Sequence, residues 1–225
     1  MSEVSLVSLS QPSAATGCHT AEELVAYAAR VSNPSNQHLH DTAPRLLAYL
    51  MRHNHWSPFE MVSVTLEIRT TRDIARQILR HRSFSFQEFS QRYAEVDDEF
   101  ELRSCRLQDS KNRQNSIDYD TTNPAEREVA EMWRMKQIHI NRQVKDAYKW
   151  ALSNGVAKEQ ARAILPEGNT PSTLYMAGTL RSWIHYCQLR CGNGTQLEHQ
   201  EVAQKCWDVI STHFPSIADL LDEIE

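Results

Sequence analysis

From Phe59 to Thr70 the apolar residues Val62, Val64, Leu66 and Ile68 alternate with Ser63, Thr65, Glu67 and Arg69. A period of two sends the first set to one face of an extended chain, so the segment is expected to be a strand with one side buried. A strand must pair, and the chain offers few candidates. Residues 3–9 (EVSLVSL) alternate loosely, and 95–107 (EVDDEFELRSCRL) read as a strand entered through a solvated acidic turn, Glu95 to Glu101. The remainder carries helical punctuation. Thr20 with Glu23 three places on forms a capping box for 21–31, and Asn33-Pro34-Ser35 ends that helix. A second helix is expected from Thr42 to Arg52, with Pro44 in its first turn. A third is expected over 72–81, capped by Thr70 or Thr71, with Ile74, Ile78 and Leu79 inward and Arg72, Arg76 and Arg80 aligned on the polar side. Asn123-Pro124 opens the longest helix and Asn154-Gly155 closes it. Shorter helices are expected over 157–165, 179–190 and 196–213, with an amphipathic turn over 217–224, while the polar stretch 108–123 reads as loop. The sum is α+β: one helix-rich domain with a small sheet, covering 1–225, an ordinary size for a single core.

Charge narrows the function. A net charge of -5 at pH 7 is the wrong sign for a protein whose main partner is a long nucleic acid. No apolar run approaches the length needed to cross a bilayer, and MSEVSLVSLSQP lacks the basic start and apolar stretch of a signal peptide, so no membrane partner and a cytoplasmic location are expected. Cys18, Cys105, Cys187, Cys191 and Cys206 are odd in number and form no C-x-x-C pair, which fits reduced thiols. His38-x-His40 and His53-x-His55 lack partners at zinc-like spacing, so no metal is expected. Trp133, Trp150, Trp183 and Trp207 read as packing residues. The turn Gly192-Asn193-Gly194 has neither a Rossmann nor a Walker pattern around it.

The run Arg80 to Arg92 (RHRSFSFQEFSQR) is unlike a core segment. Arg80, His81 and Arg82 are expected at the end of a helix whose polar face already bears Arg72 and Arg76, so several guanidinium groups are expected to converge, and phosphate is their natural counter-ion. A basic last turn favoured by the helix dipole is the alternative. Gln87, Glu88, Ser90, Arg92 and Tyr93 then add amide, carboxylate and hydroxyl groups within one turn.

The pattern R-H-R, seven residues, S, present as Arg80, His81, Arg82 and Ser90, resembles the signature of the flavin-dependent thymidylate synthases. The resemblance extends to His55-x-Ser57-Pro58-Phe59-Glu60 upstream, Ala75-Arg76-Gln77 before the motif, and Glu88-x-Ser90-x-Arg92-Tyr93 within it. Downstream it continues through Ala161-Arg162, Leu165-Pro166, Arg181-Ser182 and Leu189-Arg190. It implies an α+β fold of that family and the conversion of dUMP to dTMP. It further implies 5,10-methylenetetrahydrofolate as carbon donor, FAD as hydride carrier, NADPH as reductant, and a homotetramer with sites shared between subunits. Carried over by residue, Gln77, Arg80, Glu88, Phe89, Ser90, Gln91, Arg92, Arg162 and Arg190 should contact dUMP. Ser57, Arg80, His81, Arg82, Thr179, Arg181 and His185 should contact FAD, although Thr179 and His185 stand where members often carry Asn.

Making carbon 5 of uracil nucleophilic through a Cys thiolate would call for a Pro-Cys-His motif, and no proline here precedes a cysteine. A reduced flavin leaves the protein to orient the reactants and set their charge. Arg190 is then the expected electrostatic catalyst, stabilising uracil with its nitrogen 3 deprotonated; its alternative is a C-terminal helix residue satisfying carbonyls. Ser90 is expected to hydrogen-bond rather than attack, and His55 to position folate or flavin. Two other readings compete: a non-catalytic nucleotide- or RNA-binding regulator, and a helical scaffold whose arginines serve an oligomer interface.

Overall fold

The computed structural model describes residues 2–96, 99–192 and 194–221. Asp97 and Asp98 of the acidic turn, Asn193 of the glycine turn and the end of the terminal amphipathic segment therefore lie outside the described residues. In chain order the elements are β1 (Glu3–Leu9), α1 (Ala21–Ala29), α2 (Ala43–Arg52), β2 (Ser63–Thr71), α3 (Arg72–Ile78), β3 (Ser85–Glu88), β4 (Arg106–Gln108), β5 (Ser116–Asp118), α4 (Pro124–Ser153), α5 (Lys158–Ala161), β6 (Pro171–Thr179), α6 (Leu180–Arg190) and α7 (Leu197–His213). Single 3-10 segments intervene, among them Ser57–Met61, Arg162–Ile164 and Pro215–Leu221. The architecture is α+β, as the sequence implies.

The main sheet has the order β1-β2-β6-β3. The end of β1 meets the start of β2 (Ser10 N–H to Ser63 O, 3.0 Å), the end of β6 meets the start of β2 (Leu180 N–H to Val62 O, 2.8 Å), and the end of β3 meets the start of β6 (Phe89 N–H to Thr173 O, 2.9 Å). Neighbouring strands are thus antiparallel. Val62, Val64, Leu66 and Ile68 are all buried, as their alternation requires.

The chain divides into two compact units. The terminal unit comprises Ser2–Ile68, Leu79–Gln87 and Leu174–Glu225, and the middle unit Arg69–Ile78 and Glu88–Thr173. The core of the terminal unit includes Val25, Leu47, Phe59, Leu66, Leu174, Met176, Trp183, Ile184, Val202 and Phe214. Trp183 donates its indole N–H to Val64 O at 3.0 Å, which seats α6 on β2. In the middle unit, Tyr148 and Ala151 of α4 pack on Ala161 and Leu165, with Val96, Phe100, Val144 and Leu152 around them. There Arg103 replaces apolar contact with hydrogen bonds, reaching Gly168 O, Thr71 Oγ1 and Asp73 Oδ1.

Caps follow the sequence closely. Thr20 accepts from Glu23 N–H at 3.2 Å, and Glu23 reaches back to the His19 N–H rather than to that of Thr20. Asn123 accepts from Ala125 N–H at 3.1 Å to start α4. Gly155, at φ +79°, ends it: its N–H reaches Leu152 O while Val156 N–H reaches Ala151 O, the paired bonds of a left-handed helix stop. Elsewhere the expected boundaries shift. Ser57–Met61 is a 3-10 segment, so β2 begins only at Ser63; α3 ends at Ile78; and Ser85–Glu88 inside the motif is strand. The expected strand over 95–107 shrinks to β4, which pairs antiparallel with β5 inside the expected loop. The intervening chain is held by side-chain bonds such as Arg103 N–H to Gln137 Oε1 (2.8 Å), which no periodicity encodes.

Gly178, near the end of β6, is fixed by lack of room: a Cβ there would lie 2.4 Å from Cδ1 of Phe84. Phe84 is itself buried against Trp183 at 4.9 Å between ring centroids, so it has little freedom to retreat. Gly178→Ala should therefore destabilise the protein by about 1–3 kcal/mol through overpacking, despite the usual gain from removing a strand glycine. The urea midpoint checks this, and an unchanged or raised midpoint would contradict it.

Candidate active site

The middle unit holds Gln77, Glu88, Phe89, Ser90, Gln91, Arg92 and Arg162 of the expected dUMP set. Glu88 ends β3 and accepts from Ser172 Oγ at 2.9 Å and from Arg72 Nη1 at 3.4 Å, while Arg76 Nη1 lies 3.9 Å from its other oxygen. Arg76 also faces Glu167 at 3.5 Å. These contacts correct one expectation. Arg72 is buried rather than on a polar face, and both it and Arg76 already have a carboxylate counter-ion, so neither is an unpaired cation awaiting phosphate. Beyond β3, Phe89 is exposed and Ser90 half-buried. Gln91 is buried with its Nε2 lacking a partner among the described residues. Arg92 pairs with Glu159 at 3.5 Å, and Lys158 reaches Glu95 at 3.6 Å, which brings α5 alongside the end of the motif. Arg162 opens the 3-10 turn directly after α5 and is half-buried.

The terminal unit holds Arg80, Arg190 and the expected FAD residues Ser57, His81, Arg82, Thr179, Arg181 and His185. His55, Ser57 and Arg181 line one cleft of about 530 Å³ together with Asn54, Trp56 and Pro58. The exposed His185 meets the Trp56 ring at 4.7 Å and 72°. Arg181 is paired with Glu60, and that charge together with partial burial lowers the pKa of His185, burial being the larger cause. Thr179 caps α6 by accepting from Ser182 N–H at 3.3 Å, so its hydroxyl is already engaged. Arg80 and Arg82 are exposed in the turn after α3. An aromatic wall, a polar loop and the Arg181 guanidinium suit a flat, anionic cofactor such as FAD.

His81 and Arg190 meet directly: Arg190 Nε–H donates to His81 Nε2 at 2.9 Å. Burial, then the charges of Arg190 and Arg80, lower the His81 pKa to about 4, so the ring is neutral and accepts the bond. Among the described residues neither Nη of Arg190 has a hydrogen-bond partner. Behind this pair lie two residues that sequence reasoning missed, Tyr186 and His199. Helical spacing offered a signal for one, since Tyr186 precedes Arg190 by one turn of α6; His199 on α7 gave none.

These histidines make stability depend on pH. His81, lowered from 6.5 to about 4, and His199, lowered to about 3 by burial and the neighbouring Arg190 and His81 charges, stay neutral when folded but take up protons when unfolded. Their contribution is complete above the unfolded pKa and is lost as pH falls from 6.5 toward 4 and then 3. Urea midpoints at pH 7, 6 and 5 should therefore decline; equal midpoints would contradict burial of neutral rings.

The chain is similar to known proteins over most of its length. Residues 15–216 match the family model described as thymidylate synthase complementing protein. The chain is 52% identical to a "Probable flavin-dependent thymidylate synthase" of Paramecium bursaria Chlorella virus 1, over 96% of this chain and 97% of that protein. It is 48% identical to the flavin-dependent thymidylate synthase of Synechocystis sp., over 89% of each. Its fold superposes on the UMP/dUMP methylase PolB from Streptomyces cacaoi with a TM-score of 0.82 at 26% identity, covering 100% of this chain and 95% of that one. The chain belongs to the flavin-dependent thymidylate synthase family.

Proposed function

We propose that this protein converts dUMP to dTMP by reductive methylation, with 5,10-methylenetetrahydrofolate as carbon donor and NADPH as reductant. The observation that carries the reading is Arg190, half-buried and held at Nε by a neutral His81, with both Nη groups available to a ligand. A fixed cation of this kind stabilises uracil with its nitrogen 3 deprotonated and so raises electron density at carbon 5. When bound, FAD would supply hydride. The chain's own part is to bind, orient and shield: Ser57, Arg80, His81, Arg82, Thr179, Arg181 and His185 toward FAD, and Gln77, Arg80, Glu88, Phe89, Ser90, Gln91, Arg92, Arg162 and Arg190 toward dUMP. His55 lines the same cleft as Ser57 and Arg181, consistent with positioning folate or flavin.

A thiolate route finds no support in the cysteines of α6, its C-terminal cap and α7. Cys187 and Cys206 are fully buried with raised thiol pKa values, and Cys191 is pushed up to about 11 by burial and then the Asp208 charge. All three stay protonated at neutral pH, whereas attack on uracil needs the thiolate. The orphaned Nε2 of Gln91, inside the motif, favours an absent acceptor such as a nucleotide oxygen.

The same reading makes 1–225 one functional domain in a homotetramer. Helix α4 supports the assembly: Val129, Met132, Trp133, Met135 and Ile140 are exposed and fall on one half of its circumference, with Trp133 at 45% and Met132 at 51%. An exposed apolar stripe of this size on one helix suits burial, here against a second copy. The free cysteines fit a reducing, cytoplasmic setting.

The deciding experiment is dTMP formation from dUMP, methylenetetrahydrofolate and NADPH by the purified protein, alongside a flavin absorption band that bleaches with NADPH. UMP serves as the parallel substrate. A protein that neither takes up FAD nor forms dTMP would overturn the proposal. Arg190→Ala should lower kcat about 100-fold or more while leaving the melting temperature within a few degrees, as loss of one electrostatic stabiliser does. Retained turnover would remove Arg190 from the mechanism.

A further inference from the structure

Tyr186 lies one helical turn before Arg190 on α6, and His199 lies in the first turn of α7. Both are buried, Tyr186 at 2% exposure and His199 at 0%. The Tyr186 hydroxyl and His199 Nε2 are 3.1 Å apart. Burial raises the phenol pKa and lowers that of the imidazole, so both are neutral, and the imidazole tautomer sets which of the two donates. The Tyr186 ring meets the His81 ring at 4.9 Å and 84°, and the His199 ring meets it at 6.3 Å and 82°. His81 is therefore held edge-to-face by both partners of one buried hydrogen bond, and its Nε2 receives Arg190 Nε–H.

A polar pair in this place has a cost that an apolar pair of similar shape would not, because each group must be desolvated and then kept satisfied. What it adds is direction. Apolar rings can slide or turn against one another, whereas a hydrogen bond fixes the Tyr186 ring along its long axis, and that ring borders His81.

We propose that Tyr186 and His199 are positioning residues for Arg190: their bond fixes the plane of the His81 ring, and His81 Nε2 in turn fixes the plane of the guanidinium that is offered to the nucleotide. This rests on the reading that Arg190 serves the uracil ring. The three aromatic side chains stay uncharged, which leaves Arg190 as the cation among these four groups.

The test uses the full-length, flavin-loaded protein with two readouts besides turnover: the dUMP dissociation constant by calorimetry, and nitrogen NMR of His81 in histidine-labelled protein. Tyr186→Phe removes the hydroxyl from this bond and should lower stability. Combining it with His199→Leu removes both partners of the bond together with His199 Nδ1, so stability should recover in part. Positioning predicts that in this double variant the dUMP dissociation constant remains raised about tenfold and His81 Nε2 loses its wild-type acceptor shift. If affinity and shift recover together with stability, the pair is packing and the proposal falls. Arg190→Lys separates the two levels of the argument. Should lysine leave dUMP affinity and turnover at wild-type values, the reading of Arg190 fails before the pair is at issue. If lysine weakens both, Tyr186→Phe should add less than about a twofold further loss of affinity in that background; a full multiplicative loss there would overturn positioning through Arg190.

Discussion

One buried hydrogen bond sets the candidate site of the terminal unit: the indole N–H of Trp183 to the carbonyl of Val64. It joins α6 to the strand with the strongest sequence signature, and α6 carries Arg181, the adjacent His185 and Tyr186, and Arg190 at intervals of about one turn. Rotating that helix by a residue would move each of them by about 100° around its axis. The Thr179 cap fixes where the helix begins, and Trp183 fixes how it is turned. The cleft, the His81 contact and the exposed edge of Arg190 all follow from those two constraints.

Arginine serves two different purposes in this protein. Arg72, Arg76, Arg103 and Arg181 are held by carboxylates, and Arg103 also spans loops that carry little apolar surface. Arg190 is held by a neutral base instead, which orients it without cancelling its charge. A carboxylate in place of His81 would orient the guanidinium as firmly while neutralising the field it projects. Choice of partner thus separates structural arginines from a chemically available one.

The sequence made visible whatever depends on local chemistry. The β2 alternation, the Thr20 and Asn123 caps and the Gly155 stop concern neighbours within a few residues, and each is found where periodicity and capping rules put it. Reading failed where long-range bonds decide. Residues 99–105 look like a strand by composition, yet Arg103 and Glu101 find their partners at Gln137, Gly168 and Asn169. Arg72 and Arg76 looked like a phosphate cluster because their counter-ion Glu88, itself held by the Ser172 hydroxyl, approaches them only in the folded chain. The order of the family motifs identified the chemistry, whereas Tyr186 and His199 carry no motif and become meaningful only once α7 is packed against α6.

The contact between Gly178 and Phe84 reaches beyond packing into how such a sequence can change over time. Neither position is free to vary alone: a larger residue at 178 requires a smaller one at 84, and a smaller residue at 84 leaves a void beside Trp183 until 178 grows. Because 84 lies inside the Arg80 to Arg92 run and 178 two residues before α6, drift in the helix that bears Arg190 is coupled to drift in the signature itself. Substitutions at these two places are expected to arrive as pairs, so a residue change in one segment carries information about the other.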